Sequence, residues 1–311
     1  MRAAGVHHIG AAVEPLELPA PRAPRAGEVL LDVHACGLGN WDEIVRTGGW
    51  DTGVQPPMAL GVEAAGLVAA VGDSVPGIRV GDAVTTHSLP LREQGCWAER
   101  FIAAAEHVAP LPPGVPWDAA GALPVPALTA DQALRDAGAR AGQTVLVHGA
   151  GGVTGGLLVQ LAAHLGATVI ATGSPHSAER IRGLGASEVL DYRQPDWPDQ
   201  VRSLTGGADA AVNAARDGAA DAARAVRDGG ALATITSDPP EPGRGITVRE
   251  VYVTPDGPRL RRLAGLLARG AITVTVSRRY PLEQAAAALD LVRRGAHGTA
   301  LVLQPPSQPA D

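Results

Sequence analysis

The chain has 311 residues, of which 45% are hydrophobic and 19% charged, and its formal net charge is −6. This length indicates two domains or one large one, and the acidic balance disfavours nucleic acid as a partner. Two cysteines, Cys36 and Cys96, are too few for a disulfide framework, and the absence of lysine excludes Schiff-base chemistry on this chain. No apolar run is long enough to cross a membrane and the amino terminus lacks a secretory pattern, so we expect a cytoplasmic protein.

The first third of the chain has the pattern of a β-rich domain. Residues 28–35 alternate between apolar and polar side chains, which predicts a strand. Residues 59–85 are rich in valine, alanine and glycine and predict short strands of a twisted, barrel-like domain. A further strand is predicted at 97–103, before the proline-rich connection 106–116.

From about residue 117 the pattern changes to alternating helices and strands, which predicts a doubly wound parallel sheet. The predicted strands of this sheet are 145–148, 168–172, 188–190, 210–214 and 231–236. Beyond them the sequence predicts strands at 246–253, 272–277 and 299–303 and helices at 259–269 and 282–294. We expect the final residues, 304–311, to be disordered.

The stretch 144–172 has the order strand, glycine-rich loop, helix and strand. Such a βαβ unit presents backbone N–H groups and a helix N-terminus to a pyrophosphate. We therefore predict a dinucleotide site whose loop residues are Gly149, Gly151, Gly152, Val153 and Thr154. Thr154 occupies the third glycine position of the fingerprint, and Gly155 follows one residue late. The alternative is a tight strand-to-helix turn that binds no ligand.

Several motifs occur in the order of a known family. They are GVEAAGLVAAVG at 61–72, VGDAV at 80–84, GCWAE at 95–99, ALPVPALTADQAL at 122–134 and VHGAGGVTGG at 147–156. This ordered set resembles the medium-chain dehydrogenase/reductase superfamily, and within it the zinc-independent NADPH:quinone oxidoreductases. The resemblance implies an α/β fold with a GroES-like β-rich catalytic domain (1–117), a Rossmann NADP-binding domain (118–256) and a C-terminal segment (257–311) that completes the catalytic domain.

The resemblance also locates the zinc ligands of the superfamily's alcohol dehydrogenases. Their cysteine position falls at Gly39 and their histidine position at Val62, and neither residue can ligate, so we predict no metal. Without a Lewis acid, the resemblance implies hydride transfer to a quinone or an activated enone. Two alternatives stay open: an enoyl reductase tailoring a polyketide-like metabolite, and a repurposed fold with a non-redox role.

The end of the second Rossmann strand indicates the cofactor. No carboxylate stands in residues 172–177, where an NAD-preferring site usually holds the ribose hydroxyls. We predict NADPH, with Ser174, Arg180 and Tyr192 as partners of the 2′-phosphate; the alternative for Arg180 is a solvated helix residue.

The resemblance nominates three residues for the reaction itself. Asn40 lies one place after the family's substrate-binding asparagine position. Trp50 replaces a tyrosine and is interpreted either as a stacking wall for an aromatic substrate or as a core residue. Thr129 resembles a threonine near the nicotinamide, and the alternative is a helix cap. Asp42 is interpreted either as part of this site or as the N-cap of a helix at 43–46. Relatives dimerise through a strand near 246–253, so we expect a homodimer; the alternative for that strand is an ordinary sheet edge.

Overall fold

The computed structural model describes residues 1–306, so residues 307–311 of the predicted disordered tail lie outside the described residues. The chain divides into two compact units, Met1–Val125 with Thr254–Asp311 and Pro126–Val253. The strands are β1 (Arg2–Val6), β2 (Glu14–Glu17), β3 (Glu28–Leu38), β4 (Met58–Ala59), β5 (Glu63–Val71), β6 (Ala83–His87), β7 (Arg100–Ala104), β8 (Val108–Pro110), β9 (Thr144–His148), β10 (Thr168–Gly173), β11 (Glu188–Asp191), β12 (Ala208–Asn213), β13 (Val226–Thr234), β14 (Thr247–Glu250), β15 (Val276–Tyr280) and β16 (Ala300–Leu303). The α-helices are α1 (Asn40–Arg46), α2 (Trp117–Gly121), α3 (Pro124–Asp136), α4 (Val153–His164), α5 (Pro175–Gly183), α6 (Trp197–Thr205), α7 (Ala219–Ala225), α8 (Gly257–Ala268) and α9 (Ala285–Arg294).

The first unit is built around the long strand β3. A seven-stranded sheet follows the order β15-β16-β3-β5-β6-β8, and β7 also pairs with β3, while β2-β1-β4 form a smaller sheet. Leu31 of β3 lies opposite Phe101 of β7, and both side chains are among the largest that are fully buried in this unit. Helix α2 packs against β3 and β5, so residues 117–125 belong to this unit rather than to the second.

The C-terminal segment returns to the first unit. Strand β16 pairs antiparallel with β3, with Leu303 opposite Cys36, and β15 lies parallel to β16 at the sheet edge. The Asp118 carboxylate, at the start of α2, accepts hydrogen bonds from Arg279 and from the Gln304 side chain. The predicted strand at 272–277 is placed too early, since the chain pairs only from Val276 onward.

The second unit is a six-stranded parallel sheet. The strand order is β11-β10-β9-β12-β13-β14. The chain adds strands on one side of β9 as far as β11 and then crosses to the other side with β12, which confirms the predicted doubly wound fold. Both faces are covered, as expected for a sheet whose central strand β9 has the buried apolar core Val145–Val147, and α4 is buried from Gly155 to Ala162. One side of the core contains Leu146, Ile170, Trp197 and Leu232.

Candidate functional site

The glycine-rich loop joins β9 to α4 at the topological switch point, where the strand order changes side between β9 and β12. Gly149 has a φ of +87°, and a Cβ there would lie 2.8 Å from the Ala214 carbonyl carbon, so only glycine fits. A Cβ on Gly151 would meet only the Ser177 Oγ at 3.7 Å, and one on Gly152 only the Gly149 oxygen at 3.9 Å. The second and third glycines therefore leave the loop backbone accessible to a bulky ligand.

The helix that follows supplies donors to this open space. Gly152 is the N-cap of α4, so Val153 and Thr154 lie in the first turn, whose N–H groups have no acceptor within the helix. Together with the macrodipole, these groups favour a bound anion. All five predicted loop residues thus lie within residues 149–154, directly before or in the first turn of one helix, as a pyrophosphate site requires.

The packing glycine of the fingerprint is Gly155, a residue that the sequence analysis did not nominate. A Cβ at Gly155 would come within 2.2 Å of the Gly149 oxygen, so this residue allows the helix to approach the strand. Thr154, at the expected third position, does not have this function. The late glycine in the sequence was the available signal, and the loop accommodates the shift with one extra residue.

A buried polar pair holds the start of the loop. The Gly149 N–H donates to the Thr172 Oγ1 at 3.1 Å, and the Thr172 hydroxyl lies 2.7 Å from the His148 Nδ1. The His148 ring stacks on Trp197 with centroids 4.6 Å apart. Burial lowers the pKa of His148 to about 4, so this side chain is neutral at physiological pH and serves as a fixed hydrogen-bonding group.

The predicted 2′-phosphate partners lie beside this loop. Arg180, half-buried on α5, donates from Nη2 to the Gly151 carbonyl at 2.8 Å. Ser174 caps α5 by accepting the Ser177 N–H at 3.3 Å, and the Ser177 hydroxyl faces Gly151. Ser177 was not predicted as a ligand, and its proximity to Gly151 adds a hydroxyl to the group.

A carboxylate lies at the end of the neighbouring strand. Asp191, at the end of β11, lies next to Gly173 in the sheet register and pairs with Arg193, with a 2.9 Å separation between Nη2 and Oδ2. Tyr192 follows it with half of its surface exposed (51%), and its N–H donates to the Gly173 carbonyl at 3.4 Å. The negative charge of Asp191 is therefore compensated by its neighbour.

The three residues nominated for the reaction lie on two units. Asn40 is the exposed first residue of α1, and Trp50 is partly buried in the loop after that helix, both in the first unit. Thr129 is buried on α3 and belongs to the second unit.

A pair of buried carboxyl groups lies at the ends of β3 and β5. The helix predicted at 43–46 starts at Asn40 with Gly39 as its N-cap, so Asp42 is not the N-cap; instead, its Oδ2 accepts the Gly39 N–H at 2.9 Å. Glu63 accepts the Val125 N–H at 2.7 Å, at the start of α3. Burial raises the pKa of Asp42 to about 8 and that of Glu63 well above its ordinary value.

The residues around these carboxyls do not form a metal centre. Gly39 packs against the Trp41 ring and Val62 is fully buried, and neither has a ligating side-chain atom. The Cys36 and Cys96 thiols donate to the carbonyls of Cys96 and Glu63 at 2.8 and 2.9 Å. Within residues 1–306, no cluster of three or more histidine, cysteine, aspartate or glutamate side chains has a metal-binding arrangement.

Comparison with known proteins agrees with both units. Residues 25–113 match the family model described as alcohol dehydrogenase GroES-like domain, and residues 184–303 match the one described as zinc-binding dehydrogenase. The structure of a mycobacterial quinone oxidoreductase is 30% identical and superposes with a TM-score of 0.85 over 98% of this chain and 100% of that one. The chain belongs to the quinone oxidoreductase-like family of medium-chain dehydrogenases/reductases. The GroES-like architecture predicted for the first unit is thereby confirmed.

Other members of the family and superfamily align over most of this chain. Mouse quinone oxidoreductase is 29% identical over 89% of this chain and 88% of its own length. A mycobacterial structure in complex with NADPH is 30% identical and has a TM-score of 0.86, over 98% of this chain and 100% of that one. The spectinabilin polyketide synthase system protein of Streptomyces orinoci is 34% identical over 93% of this chain, which corresponds to 14% of that protein. Among the described helices, none combines the length and apolarity needed to traverse a bilayer.

Proposed function

We propose that this chain is an NADPH-dependent oxidoreductase that transfers hydride to a quinone or an activated enone without zinc. Oxidoreductase chemistry with a nicotinamide cofactor follows from family membership. The observation that carries the proposal is the loop at Gly149–Gly152, which is open towards solvent at two glycines and ends at a helix N-terminus.

NADPH rather than NADH is supported by the charges beside that loop. The guanidinium of Arg180 is fixed against the Gly151 carbonyl, and the Ser177 hydroxyl, 3.1 Å from that of Ser174, faces Gly151. A 2′-phosphate there would gain a charge-assisted hydrogen bond from Arg180 and neutral ones from the serines. The carboxylate of Asp191, which lies opposite Gly173 in the sheet, is neutralised by Arg193.

The reduced nicotinamide supplies the hydride when it is bound. One acceptor molecule takes up the hydride and a proton, so a quinone becomes a hydroquinone while NADPH becomes NADP⁺. In this proposal Thr129 donates a hydrogen bond to the cofactor and Asn40 binds the acceptor. Trp50 provides an apolar face for an aromatic acceptor, and because its indole N–H is not acidic, the proton comes from water.

Zinc independence is supported by the identity of two residues. Gly39 and Val62 stand where the zinc-dependent members of the superfamily carry ligands, and both side chains lack donor atoms. Hydride acceptors that are already electron-poor, such as quinones and activated enones, do not need a Lewis acid to polarise them.

The proposal is tested by measuring oxidation of NADPH and NADH with 1,4-benzoquinone and 9,10-phenanthrenequinone. We expect turnover, with a lower KM for NADPH than for NADH. In the Arg180→Ala variant the KM for NADPH should rise about tenfold, because one charge-assisted hydrogen bond is lost. Arg182→Ala is the matched control, since Arg182 lies on the same helix but pairs with Glu188 at 3.5 Å. A preference for NADH, or an equal effect of both variants, would contradict the choice of cofactor.

A second candidate is an enoyl reductase that tailors a polyketide-like metabolite. The match to a polyketide synthase system protein over 93% of this chain favours it. Reduction of an α,β-unsaturated thioester with a higher kcat/KM than any quinone would assign the enzyme to this class. Cofactor binding without turnover on either panel would point to the non-redox role.

We also propose a cytoplasmic homodimer. Strand β14 is the exposed edge of the six-stranded sheet, since it pairs with β13 on one side, and it carries Arg249 and Glu250. Sedimentation at micromolar concentration tests the assembly, and a monomer would refute it.

A further inference from the structure

A polar cluster lies at the carboxyl ends of β12 and β13. Asn213 ends β12 with a fully buried side chain, whose Nδ2 donates to the Thr234 and Thr236 hydroxyls at 3.1 and 2.8 Å. Its Oδ1 accepts the Ala215 N–H at 3.1 Å, which fixes the loop after the strand. The cluster therefore connects two loops that leave neighbouring strands of the sheet.

Asp238 is the centre of this cluster. Its Oδ1 accepts the hydroxyls of Thr234 and Thr236 at 2.7 and 2.6 Å and lies 3.3 Å from the Asn213 Nδ2. Its Oδ2 accepts the Ala219 N–H at 3.1 Å, at the end of the first loop. Burial opposes ionisation of this carboxyl, but the donors outweigh it and lower its pKa, so Asp238 is an anion at neutral pH.

Both loops hold a residue in an unfavourable backbone conformation. Asp217 and Ser237 each have a φ of +57°, in the left-handed region that non-glycine residues seldom adopt. Such conformations persist where the surroundings over-determine them, and they concentrate at binding sites. The bonds to Asp238 flank both residues and supply that constraint.

The position of the cluster relates it to one half of a dinucleotide. In a doubly wound sheet the ligand lies across the point of strand reversal, here between β9 and β12, with its pyrophosphate at the first helix and one ribose at the end of the second strand. That ribose and its 2′-phosphate partners lie on the β10 side, at Ser174 and Arg180. The other half of the ligand, the nicotinamide, must extend over the ends of β12 and β13.

The same region is in contact with the phosphate loop. A Cβ on Gly149 would meet the Ala214 and Ala215 backbone at 2.8 Å, so the loop held by Asn213 is packed directly against the first glycine. A displacement of residues 214–218 would change the floor of the site on the nicotinamide side. Ser174 and Arg180 are held by separate bonds on the β10 side and would keep their positions.

We infer that Asp238 is a positioning residue that holds the loops after β12 and β13 as the platform for the nicotinamide half of the cofactor. The inference rests on the proposed function, because it concerns how that cofactor is oriented. Asp238 acts through Asn213, the two threonines and the Ala219 N–H, and its own carboxylate is fully used by them.

The test compares the whole cofactor with a fragment that lacks nicotinamide. We expect Asp238→Ala to raise the Kd for NADPH about tenfold, while the Kd for 2′-phospho-ADP-ribose changes less than about twofold. Asp238→Asn, which keeps the shape but loses acceptors, shifts the ratio in the same direction by about threefold and serves if the alanine variant does not fold. The emission shift of bound NADPH, which reports the nicotinamide surroundings, should be reduced in both variants.

Asp209→Asn is the matched control. Asp209 lies at the opposite end of β12, where it accepts the Thr144 N–H at 2.9 Å and pairs with Arg227 at 2.7 Å, so its loss should leave the ratio of the two Kd values unchanged. Equal weakening of both ligands by the Asp238 variants, or no weakening, would overturn the inference. Wild-type protein that binds neither ligand would instead refute the proposed function, and with it this role.

Discussion

The buried carboxyl of Asp42 makes the stability of the fold depend on pH. Its pKa is raised by burial from 3.8 to about 8, against the opposing effect of the Gly39 N–H, whereas in the unfolded chain it ionises near its ordinary value. Between these two values the folded chain holds a proton that the unfolded chain releases. The free energy of unfolding therefore falls as pH rises through this window, by about 1.4 kcal/mol for each pH unit.

Replacing Asp42 with asparagine removes this contribution. The amide oxygen can still accept the Gly39 N–H, and no proton is exchanged on unfolding. The free energy of unfolding of D42N minus that of wild type should therefore increase by about 3 kcal/mol as the pH rises from about 5 to about 7. Glu63, whose pKa is also raised by burial, contributes with the same sign and leaves a residual slope in the variant.

Urea unfolding followed by tryptophan fluorescence measures this effect. The probe suits the first unit, which contains Trp41, Trp50, Trp97 and Trp117, while the fifth tryptophan lies in the second. D136N is the control, because Asp136 is an exposed carboxylate beside Arg135 at 3.7 Å. Parallel curves of free energy against pH for wild type and D42N would show that Asp42 is ionised in the fold, and would refute the reasoning.

Three further outcomes follow from the site. Quinone reduction should survive dialysis against 1,10-phenanthroline with its rate unchanged, and a loss that added zinc restores would refute the metal-free proposal. Gly149→Ala should lower the melting temperature, because of its positive φ and the clash with Ala214, whereas Gly151→Ala should fold normally and weaken NADPH binding; the reverse order would contradict the assigned roles. Trp197→Ala should cost about 3–5 kcal/mol of stability, since this ring is 2% exposed and stacks on His148, and thermal or urea unfolding would measure it; a smaller loss for Trp197→Phe is the control, and a neutral alanine variant would contradict the packing described.

Much of the fold could be predicted because its signals are local. The second unit can be predicted from short apolar runs that form strands buried on both faces, such as Val145–Val147 in β9, and from glycines at the turns. Strand β15 was placed too early because residues 272–277 alternate more clearly than the exposed Ser277–Arg279 that form the edge. An edge strand with solvated arginines has no apolar alternation to reveal it.

The polar groups of the site were harder to predict, since they meet through the fold. Asn213 and Asp238 are 25 residues apart and carry no motif, and only the parallel pairing of β12 with β13 brings them together. The alternative that made Asp42 the N-cap of a helix at 43–46 is wrong, because the helix starts at Asn40 and the burial of this carboxyl could not be inferred from the residues around it. The phosphate loop was predictable since its function depends on backbone, which glycine spacing reports directly.

The pairing of β16 with β3 has a consequence for biosynthesis. The second unit is a continuous segment and can fold as soon as it has emerged from the ribosome, but the sheet around β3 gains its β16 neighbour only when the last strands are synthesised. Until then the Cys36–Leu38 edge of β3 is open to other strands. Chaperone binding to nascent chains should therefore concentrate on the N-terminal segment and end when residues 300–303 are released.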